Sequence, residues 1–213
     1  MSVAPISFAR VPFACFMILW TNPFKVEYRN GFTEIEKQSV SRSKKILITG
    51  SNGFVGRTLY EDLRTRGYEL RGSVRNLSKF VAEQSNVAVG PIDSNTEWQI
   101  ALGGCTTVIH LAGRAHFLND RAKDPAIEFR SVNTEGTLNL AQQAVLEGVQ
   151  RFIFVSSIGV NGSRSGEAPI TANSDTKPHS PYAVSKLDAE FGLRRIACKS
   201  KMEVVIVRPP AIY

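Results

Sequence analysis

The chain has 213 residues, 43% of them hydrophobic, and a formal net charge of +7. This is enough for one domain with a full core. The charge does not indicate nucleic-acid binding, because basic residues are scattered among acidic ones and not grouped beside aromatic side chains. Cys15, Cys105 and Cys198 lie far apart, without the spacing of a metal site or a disulfide framework, so no metal and a reducing, cytoplasmic location are expected.

Residues 1–43 precede the first regular pattern. Their apolar stretch, residues 11–20, contains Pro12 and is much shorter than the roughly 20 residues of a membrane-spanning helix. A signal peptide is disfavoured, because Arg10 is the only charge before that stretch and no cleavage pattern of small residues follows. We predict that residues 1–43 form a leader outside the fold, with attachment to a membrane surface as the alternative.

From residue 44 onward, apolar segments of strand length alternate with segments whose apolar residues recur at helical spacing. This alternation indicates βαβ units, and therefore an α/β fold with a doubly wound parallel sheet. Helix stops are expected at Gly67 and Gly148. The predicted strands span residues 45–49, 69–74, 87–89, 107–111, 152–156 and 204–207, and the predicted helices span 54–66, 133–147 and 182–197.

A glycine-rich loop joins the first predicted strand to the first predicted helix. Gly50 permits a tight turn, Gly53 lets the backbone approach a pyrophosphate, and Gly56 allows the helix to pack closely on the strand. The helix N-terminus adds unpaired N–H groups and the positive end of a dipole. The flanking strand and helix favour dinucleotide binding over a plain turn. The predicted cofactor-binding residues of this loop are Gly50, Asn52, Gly53, Phe54, Val55 and Gly56.

The end of the second predicted strand bears on the choice between NAD and NADP. An acidic residue there would bind the adenosine ribose of NAD, whereas an arginine suits the 2′-phosphate of NADP. Here Val74 and Arg75 stand at that end, and Arg75 can offer a bidentate contact to a phosphate. The sequence therefore favours NADP over NAD. The alternative for Arg75 is a solvated surface arginine.

Candidate proton-transfer residues follow later strands. Ser156 and Ser157 end a buried strand, where one hydroxyl can bind a substrate oxygen. Tyr182 and Lys186 share one face of a helix, because residues four apart do so, and the lysine is expected to lower the pKa of the phenol. Tyr182 can then serve as acid or base while a hydride moves to or from a nicotinamide. The spacing of Tyr182 and Lys186 alone would indicate only an amphipathic helix.

Structural interpretations suit the neighbouring polar residues. Ser180 is expected to cap the helix that carries Tyr182, and Pro181 suits its first turn. His110 ends a strand and is interpreted as a packed or loop-orienting histidine, and Asn133 as a helix cap. The long polar loop at residues 159–178 is expected to border the substrate or to shift when it binds.

Six motifs occur in order along the chain. They are TGxxGxxG at 49–56, HLAG at 110–113, NTEGT at 133–137, the serine pair at 156–157, PYxxSK at 181–186 and RPP at 208–210. Together they resemble the extended short-chain dehydrogenase/reductase family, in particular its NAD-dependent epimerase/dehydratase branch, which acts on nucleotide sugars. The resemblance covers residues 44–213 and implies a Rossmann-type NAD(P)-binding domain.

The resemblance implies roles for single residues. Ser157 would bind the substrate oxygen, Tyr182 would be the acid/base, and Lys186 would bind the nicotinamide ribose and tune Tyr182. Family members often carry acids where Val74 and Pro91 stand, and the nearby Asp93 is displaced by two positions. The further cofactor-binding residues that we predict are Asp93, Leu111, Ala112, Gly113, Tyr182 and Lys186.

The implied activity is hydride transfer at a sugar carbon, C4, of a nucleotide sugar. A 4-keto reductase and a UDP-glucose 4-epimerase-like enzyme both fit, and the indicated NADP preference favours the reductase. The alternatives are reduction of a small ketone or aldehyde, similar to dihydroflavonol reductase, and a non-enzymatic dinucleotide sensor. Family members commonly continue into a substrate-binding lobe, so we expect residues 44–213 to be truncated before it. They also commonly form a homodimer through a helix bundle that includes the Tyr182 helix.

Overall fold

The computed structural model describes residues 19–20, 45–76, 85–115, 124–164 and 169–212. The described residues contain seven strands of one β-sheet. The strands are β1 (Leu19–Trp20), β2 (Lys45–Thr49), β3 (Leu70–Val74), β4 (Asn86–Ala88), β5 (Cys105–His110), β6 (Arg151–Val155) and β7 (Glu203–Val207). The α-helices are α1 (Phe54–Thr65), α2 (Gln99–Leu102), α3 (Pro125–Phe129), α4 (Gly136–Leu146) and α5 (Pro181–Cys198).

The strand order is β1-β7-β6-β5-β2-β3-β4, and neighbours from β7 to β4 pair in parallel. The chain builds outward from β2 through β3 to β4, then returns to the other side of β2 for β5, β6 and β7. The order therefore reverses between β2 and β5, and in such sheets a crevice opens there at the carboxyl ends of the strands. This confirms the predicted doubly wound parallel sheet.

Strand β1 pairs antiparallel with β7, with Leu19 opposite Val207 and Trp20 opposite Ile206. Two residues of the predicted leader thus add a short strand to the sheet. The other residues of 1–43 lie outside the described part of the chain, so their place relative to the fold stays a prediction. Among the described helices, none has the length and apolar character needed to cross a membrane.

The six predicted strands are all present, with ends displaced by at most two residues. The helix predicted at 133–147 is different, because it begins earlier as α3 and continues through a π-helical turn, Arg130–Glu135, into α4. Asp124 caps α3 by accepting hydrogen bonds from Ala126 N at 2.9 Å and Ile127 N at 3.3 Å, and a proline follows the cap. Asn133 is therefore not a helix cap, and this prediction is wrong.

Apolar residues alternate between the two faces of the central strand. Leu47 belongs to the larger core cluster, with Phe152, Leu140 of α4 and Leu193 of α5. Ile48 belongs to a second cluster with Tyr60 of α1 and Leu70 of β3. Because both faces of the sheet are covered, its central strands are apolar on both sides.

The face covered by α4 allows a direct test of the core. Leu140→Ala removes a side chain that is 0% exposed, so it is expected to lower the free energy of unfolding by about 2–5 kcal/mol. Leu146→Ala, on the same helix but 84% exposed, should change it by less than about 0.5 kcal/mol. Urea unfolding of both variants measures the difference, and equal losses would contradict this packing.

Candidate functional site

The glycine loop lies at the carboxyl end of β2. Gly50 has a φ of 66°, and a Cβ there would lie 3.1 Å from both N and Cα of Ala112. A Cβ on Gly56 would overlap the carbonyl oxygen of Gly50. Gly56 therefore allows the close packing predicted for it, although its nearest neighbour is the loop and not the strand.

The N-terminus of α1 opens beside this loop. Gly53 occupies the cap position without a side-chain hydrogen bond, and its N–H donates to Gly50 O at 2.9 Å. The first turn of the 12-residue helix carries no acidic residue. The amide groups and the positive end of the helix dipole can therefore stabilise an anion at this point.

A cleft of about 490 Å³ lies at the carboxyl ends of the central strands. It is lined by Gly50, Asn52, Gly53, Ser73, Val74, Arg75, Val89, Gly90, Ile92, Leu111, Ala112, Gly113, Arg114 and Val132. Seven of the predicted cofactor-binding residues therefore surround one cavity. Phe54, Val55 and Gly56 do not line it, and form the first turn of α1.

Asp93 also does not line this cleft. Its Oδ1 accepts hydrogen bonds from Asn95 N at 2.7 Å and from Thr96 Oγ1 at 3.4 Å. The carboxylate thus closes its own turn, while Ile92 takes the adjacent place in the wall. This geometry does not support the predicted contact of Asp93 with the cofactor.

A chain of hydrogen bonds fixes the two central strand ends. Thr49 Oγ1 accepts from Leu111 N and Ala112 N, both at 3.1 Å, and lies 2.7 Å from His110 Nδ1. Two donors fill the acceptor capacity of the hydroxyl, so its own proton goes to Nδ1. His110 Nε2 then carries the ring proton and donates at 3.0 Å to Thr137 Oγ1. One tautomer of His110 satisfies every partner.

His110 is uncharged in this arrangement. Burial lowers its pKa to about 3, and the nearby Lys186 cation lowers it in the same direction. A neutral imidazole with both nitrogens engaged is not available as a general base. This confirms the interpretation of His110 as a packed histidine.

Asn133 joins the cleft wall to α5. Its Oδ1 accepts from Arg114 N at 2.8 Å, and its Nδ2 donates to Arg114 O at 3.0 Å and to Ser185 Oγ at 3.1 Å. Thr134 Oγ1 donates to Ser185 O at 2.8 Å. The π-helical turn therefore fixes both the segment that follows β5, at Arg114, and the helix that carries Tyr182.

Helix α5 begins as predicted. Ser180 Oγ accepts from Ala183 N at 3.2 Å, and Pro181 is the first helical residue. Ser157 lies near this helix end, because a Cβ on Gly159 would lie 3.3 Å from Ser157 Oγ and 3.7 Å from Ala183 Cβ. Ser157 Oγ accepts from Gly159 N at 3.1 Å, which orients the hydroxyl at the start of a 3₁₀ turn, Ile158–Val160.

Lys186 lies on the buried face of α5. Its Nζ donates to Val155 O at 3.0 Å and lies 4.7 Å from the ring centroid of Phe154. The same atom lies 6.0 Å from the ring centroid of Tyr182. A Cβ on Gly113, which lines the cleft, would lie 3.4 Å from Lys186 Nζ. The cofactor cleft therefore reaches Lys186 at Gly113, although neither Lys186 nor Tyr182 lines the cleft.

Burial shifts both groups of this pair away from their charged forms. It lowers the pKa of Lys186 to about 8, although the Glu190 carboxylate acts in the opposite direction. It raises the pKa of Tyr182. The prediction that Lys186 lowers the pKa of Tyr182 is therefore wrong for this arrangement, because the desolvation of the phenol dominates.

A buried ionic network, which the sequence analysis missed, lies one helical turn beyond Lys186. Glu190 is 0% exposed. Its Oε1 accepts from Ser156 Oγ at 2.7 Å and from Arg208 Nε at 2.9 Å, and its Oε2 accepts from Arg208 Nη2. This network holds the ends of β6 and β7 against α5, because Ser156 follows β6, Arg208 follows β7 and Glu190 lies on α5. A glutamate four residues after Lys186 was a visible signal, but its partners are distant in sequence.

The polar loop at 159–178 is held by the same network. Arg208 Nη1 donates to Asn161 Oδ1 at 3.3 Å, and Asn161 Nδ2 donates to the carbonyl oxygens of Ser174 and Asp175 at 3.2 and 3.1 Å. The described parts of the loop are therefore tethered beside the candidate site. Whether they border a substrate stays a prediction.

The donors around the cleft fit a dinucleotide. The backbone of Gly50 and Gly53 lines the cleft, and a Cβ on either residue would crowd neighbouring backbone atoms. Ser73 Oγ is buried in the wall and has no hydrogen-bond partner among the described residues. Arg75 is exposed at the rim. Backbone amides, a hydroxyl and a guanidinium suit a pyrophosphate and a phosphorylated or free ribose.

Comparison with known proteins agrees with this geometry. The model of the NAD dependent epimerase/dehydratase family matches residues 46–213. UDP-glucose 4-epimerase from Vibrio cholerae is 41% identical over 174 residues, covering 80% of this chain and 52% of that protein. The chain spans about half the length of the curated relatives it matches.

Solved structures are similar in fold and sequence. A short-chain dehydrogenase/reductase superfamily protein from Agrobacterium tumefaciens with bound NAD is 34% identical, with a TM-score of 0.67 over 76% of this chain and 48% of that one. MoeE5 in complex with UDP-glucose and NAD is 26% identical, with a TM-score of 0.63 over 75% of this chain and 51% of that one.

The buried lysine predicts a pH dependence of stability. The pKa of Lys186 is lowered from 10.5 to about 8, so the unfolded state binds more protons between these values. The contribution of Lys186 to the free energy of unfolding therefore rises with pH in this window, by up to about 1.4 kcal/mol per pH unit. Lys186→Met should abolish that rise.

Urea unfolding from pH 7 to 10.5 measures this effect. The control is Lys199→Met, which changes an exposed lysine at the end of the same helix, and it should keep the wild-type profile. A wild-type profile in Lys186→Met would show that another group produces the rise.

Proposed function

The chain belongs to the NAD-dependent epimerase/dehydratase family, and we propose that it binds NAD or NADP and transfers a hydride at C4 of a nucleotide-linked hexose. One observation carries the proposal. At Gly113 the glycine-lined cleft reaches Lys186, whose Nζ lies 6.0 Å from the ring centroid of Tyr182. This junction would place a cofactor ring beside a group that can move a proton.

The cofactor-binding residues divide the cleft into two parts. The turn at 50–53 and the N-terminus of α1 would hold the pyrophosphate, and Arg75 would lie beside the adenosine ribose. Residues 111–113 would line the path toward α5. A bound dinucleotide would supply the acceptor and donor of hydride at its nicotinamide ring.

Tyr182 would move the proton that accompanies hydride transfer. Its raised pKa keeps the phenol protonated near neutral pH, so it is ready to donate a proton to a carbonyl oxygen as that carbonyl is reduced. In the reverse direction the phenolate would take the proton of the sugar hydroxyl. Ser157 would hydrogen-bond the same oxygen, and Lys186, whose Nζ lies beside Gly113 of the cleft wall, would bind the nicotinamide ribose.

The substrate class is supported by the relatives. The Vibrio cholerae protein is named as an epimerase of UDP-glucose, and MoeE5 was solved with UDP-glucose and NAD. We therefore propose a nucleotide sugar as substrate. Within this class, an epimerase would use Tyr182 in both directions during one turnover and would show no net use of cofactor.

A second candidate is a 4-keto reductase that uses NADPH. The position of Arg75 on the cleft wall favours it, because a guanidinium suits a 2′-phosphate and the end of β3 carries no carboxylate. A protonated Tyr182 suits the same direction of reaction. Net oxidation of NADPH by a keto-sugar nucleotide would distinguish this candidate from the epimerase.

The catalytic assignment predicts the behaviour of Tyr182→Phe. Loss of the phenolic proton should lower kcat at least about 100-fold, the lower end of the usual contribution of general acid–base catalysis. Dinucleotide affinity should change little. UDP-glucose, UDP-galactose, a 4-keto-sugar nucleotide and a small ketone should be tested with the chain, and with the chain fused to the part of the Vibrio cholerae relative that lies beyond the match.

Tyr68→Phe is the control, because Tyr68 is half exposed and lies on the segment between α1 and β3. Retention of full activity by Tyr182→Phe would overturn the catalytic assignment. Activity confined to small ketones would retain the assignment and replace the sugar substrate.

Arg75 allows a separate test of cofactor choice. Arg75→Ala should weaken NADP binding by about tenfold or more, the range of a lost charged hydrogen bond, and should leave NAD binding nearly unchanged. Arg75→Lys should show an intermediate loss, because it keeps the charge but not the bidentate geometry. Calorimetric titration with each dinucleotide measures the effect. Equal losses for both would show that Arg75 does not contact the 2′-phosphate.

A further inference from the structure

Asn86 reaches the glycine loop from a strand two positions away in the sheet. It is the first residue of β4 and pairs with Gly72 of β3, which in turn pairs with Ile48 of β2. Its Oδ1 nevertheless accepts a hydrogen bond from Ser51 Oγ at 2.9 Å, beyond the end of β2. The side chain therefore crosses the whole of β3.

Gly72 makes this crossing possible. A Cβ on Gly72 would overlap Asn86 Oδ1 and Ser51 Oγ, and would lie 2.9 Å from Asn86 Cγ. Gly72 does not have a positive φ, so its backbone conformation does not require glycine. The requirement comes from the Asn86 side chain that occupies the space of the missing Cβ.

Ser51 is the residue that this contact fixes. It is 0% exposed and lies between Gly50 and Asn52, which both line the cleft. A Cβ on Gly56 would lie 2.9 Å from Ser51 Cα, so Ser51 is packed beneath α1 as well. Movement of the Ser51 side chain would therefore move the turn at 50–53.

The start of β4 is itself anchored. Gly72 N donates to Ser85 O at 2.9 Å, and the hydroxyl of Tyr60 on α1 is hydrogen-bonded to the backbone of Ser85. Asn86 thus extends from a point held by both β3 and α1. A side chain with a fixed base can position its partner more firmly than one on a mobile loop.

We propose that Asn86 is a positioning residue for the dinucleotide, which acts by holding Ser51 and the turn at 50–53 across Gly72. The effect of Asn86 on dinucleotide binding rests on the proposed function, in which the turn at 50–53 holds the pyrophosphate. Asn86 does not line the cleft, and it would act on the cofactor only through Ser51.

A double-mutant cycle on the chain tests this inference by calorimetric titration with NAD and NADP. Asn86→Ala and Ser51→Ala should each weaken binding by about three- to tenfold, the range expected for one hydrogen bond. The double variant should bind as weakly as either single variant, because both remove the same contact. Asn95→Ala, an exposed asparagine in the loop after β4, is the control and should leave binding unchanged.

Gly72→Ala supplies a steric test of the same contact. In the wild-type background it should weaken binding more than Asn86→Ala, because the added Cβ displaces both polar side chains. Added to the Ser51→Ala and Asn86→Ala double variant, it should cause no further loss. A further loss there would place the role of Gly72 outside this contact and would count against the inference.

Amide hydrogen exchange separates this inference from the proposed function. In Asn86→Ala without dinucleotide, the amides of residues 50–53 should exchange about tenfold faster, while those of β5 keep their protection. If the wild-type chain binds no dinucleotide, the proposed function fails and exchange at 50–53 still decides the inference. Unchanged exchange at 50–53, or additive losses of affinity, would overturn it.

Discussion

The site depends on how the backbone at the end of β2 approaches the backbone that follows β5. A Cβ on Gly50 would lie 3.1 Å from the backbone of Ala112, so the two segments can meet only where glycine stands. The hydroxyl of Thr49 then binds both amides that follow β5 and the ring of His110. Contact between the two main-chain segments thus shapes the cofactor cleft. The hydroxyl of Thr49, whose hydrogen-bonding capacity is fully used, holds the two segments together.

The proton-transfer side of the site follows a different physical rule. Lys186 and Tyr182 are buried groups whose charged forms are disfavoured by desolvation. The cation is compensated by the carbonyl oxygen of Val155, the ring of Phe154 and the carboxylate of Glu190. Glu190 is shared with Arg208, so it cannot favour the lysine alone. The resulting balance leaves a lysine that is charged at neutral pH and a phenol that keeps its proton.

Much of the fold and part of the site could be predicted from the sequence, because they follow from local patterns. The strands, the cap at Ser180, and the glycines at 50 and 56 have signals within a few residues of themselves. The predictions failed where distant segments decide the outcome. Asn133 contacts Arg114 and Ser185, and neither contact can be read from its neighbours. The pKa of Tyr182 likewise depends on burial that only the folded chain provides.

The roles of Gly72 and Asn86 also depend on contacts between distant segments, so no sequence motif predicts them. Gly72 lies inside a strand, where glycine normally weakens the structure, and Asn86 begins a short edge strand of low β-propensity. Each residue is unfavourable when considered alone. Together they let a polar side chain cross one strand and bind Ser51 in the loop after the next. A pair of locally unfavourable residues in register on adjacent strands is therefore a signal in its own right, because the loss in strand propensity is offset by a contact at the cofactor loop.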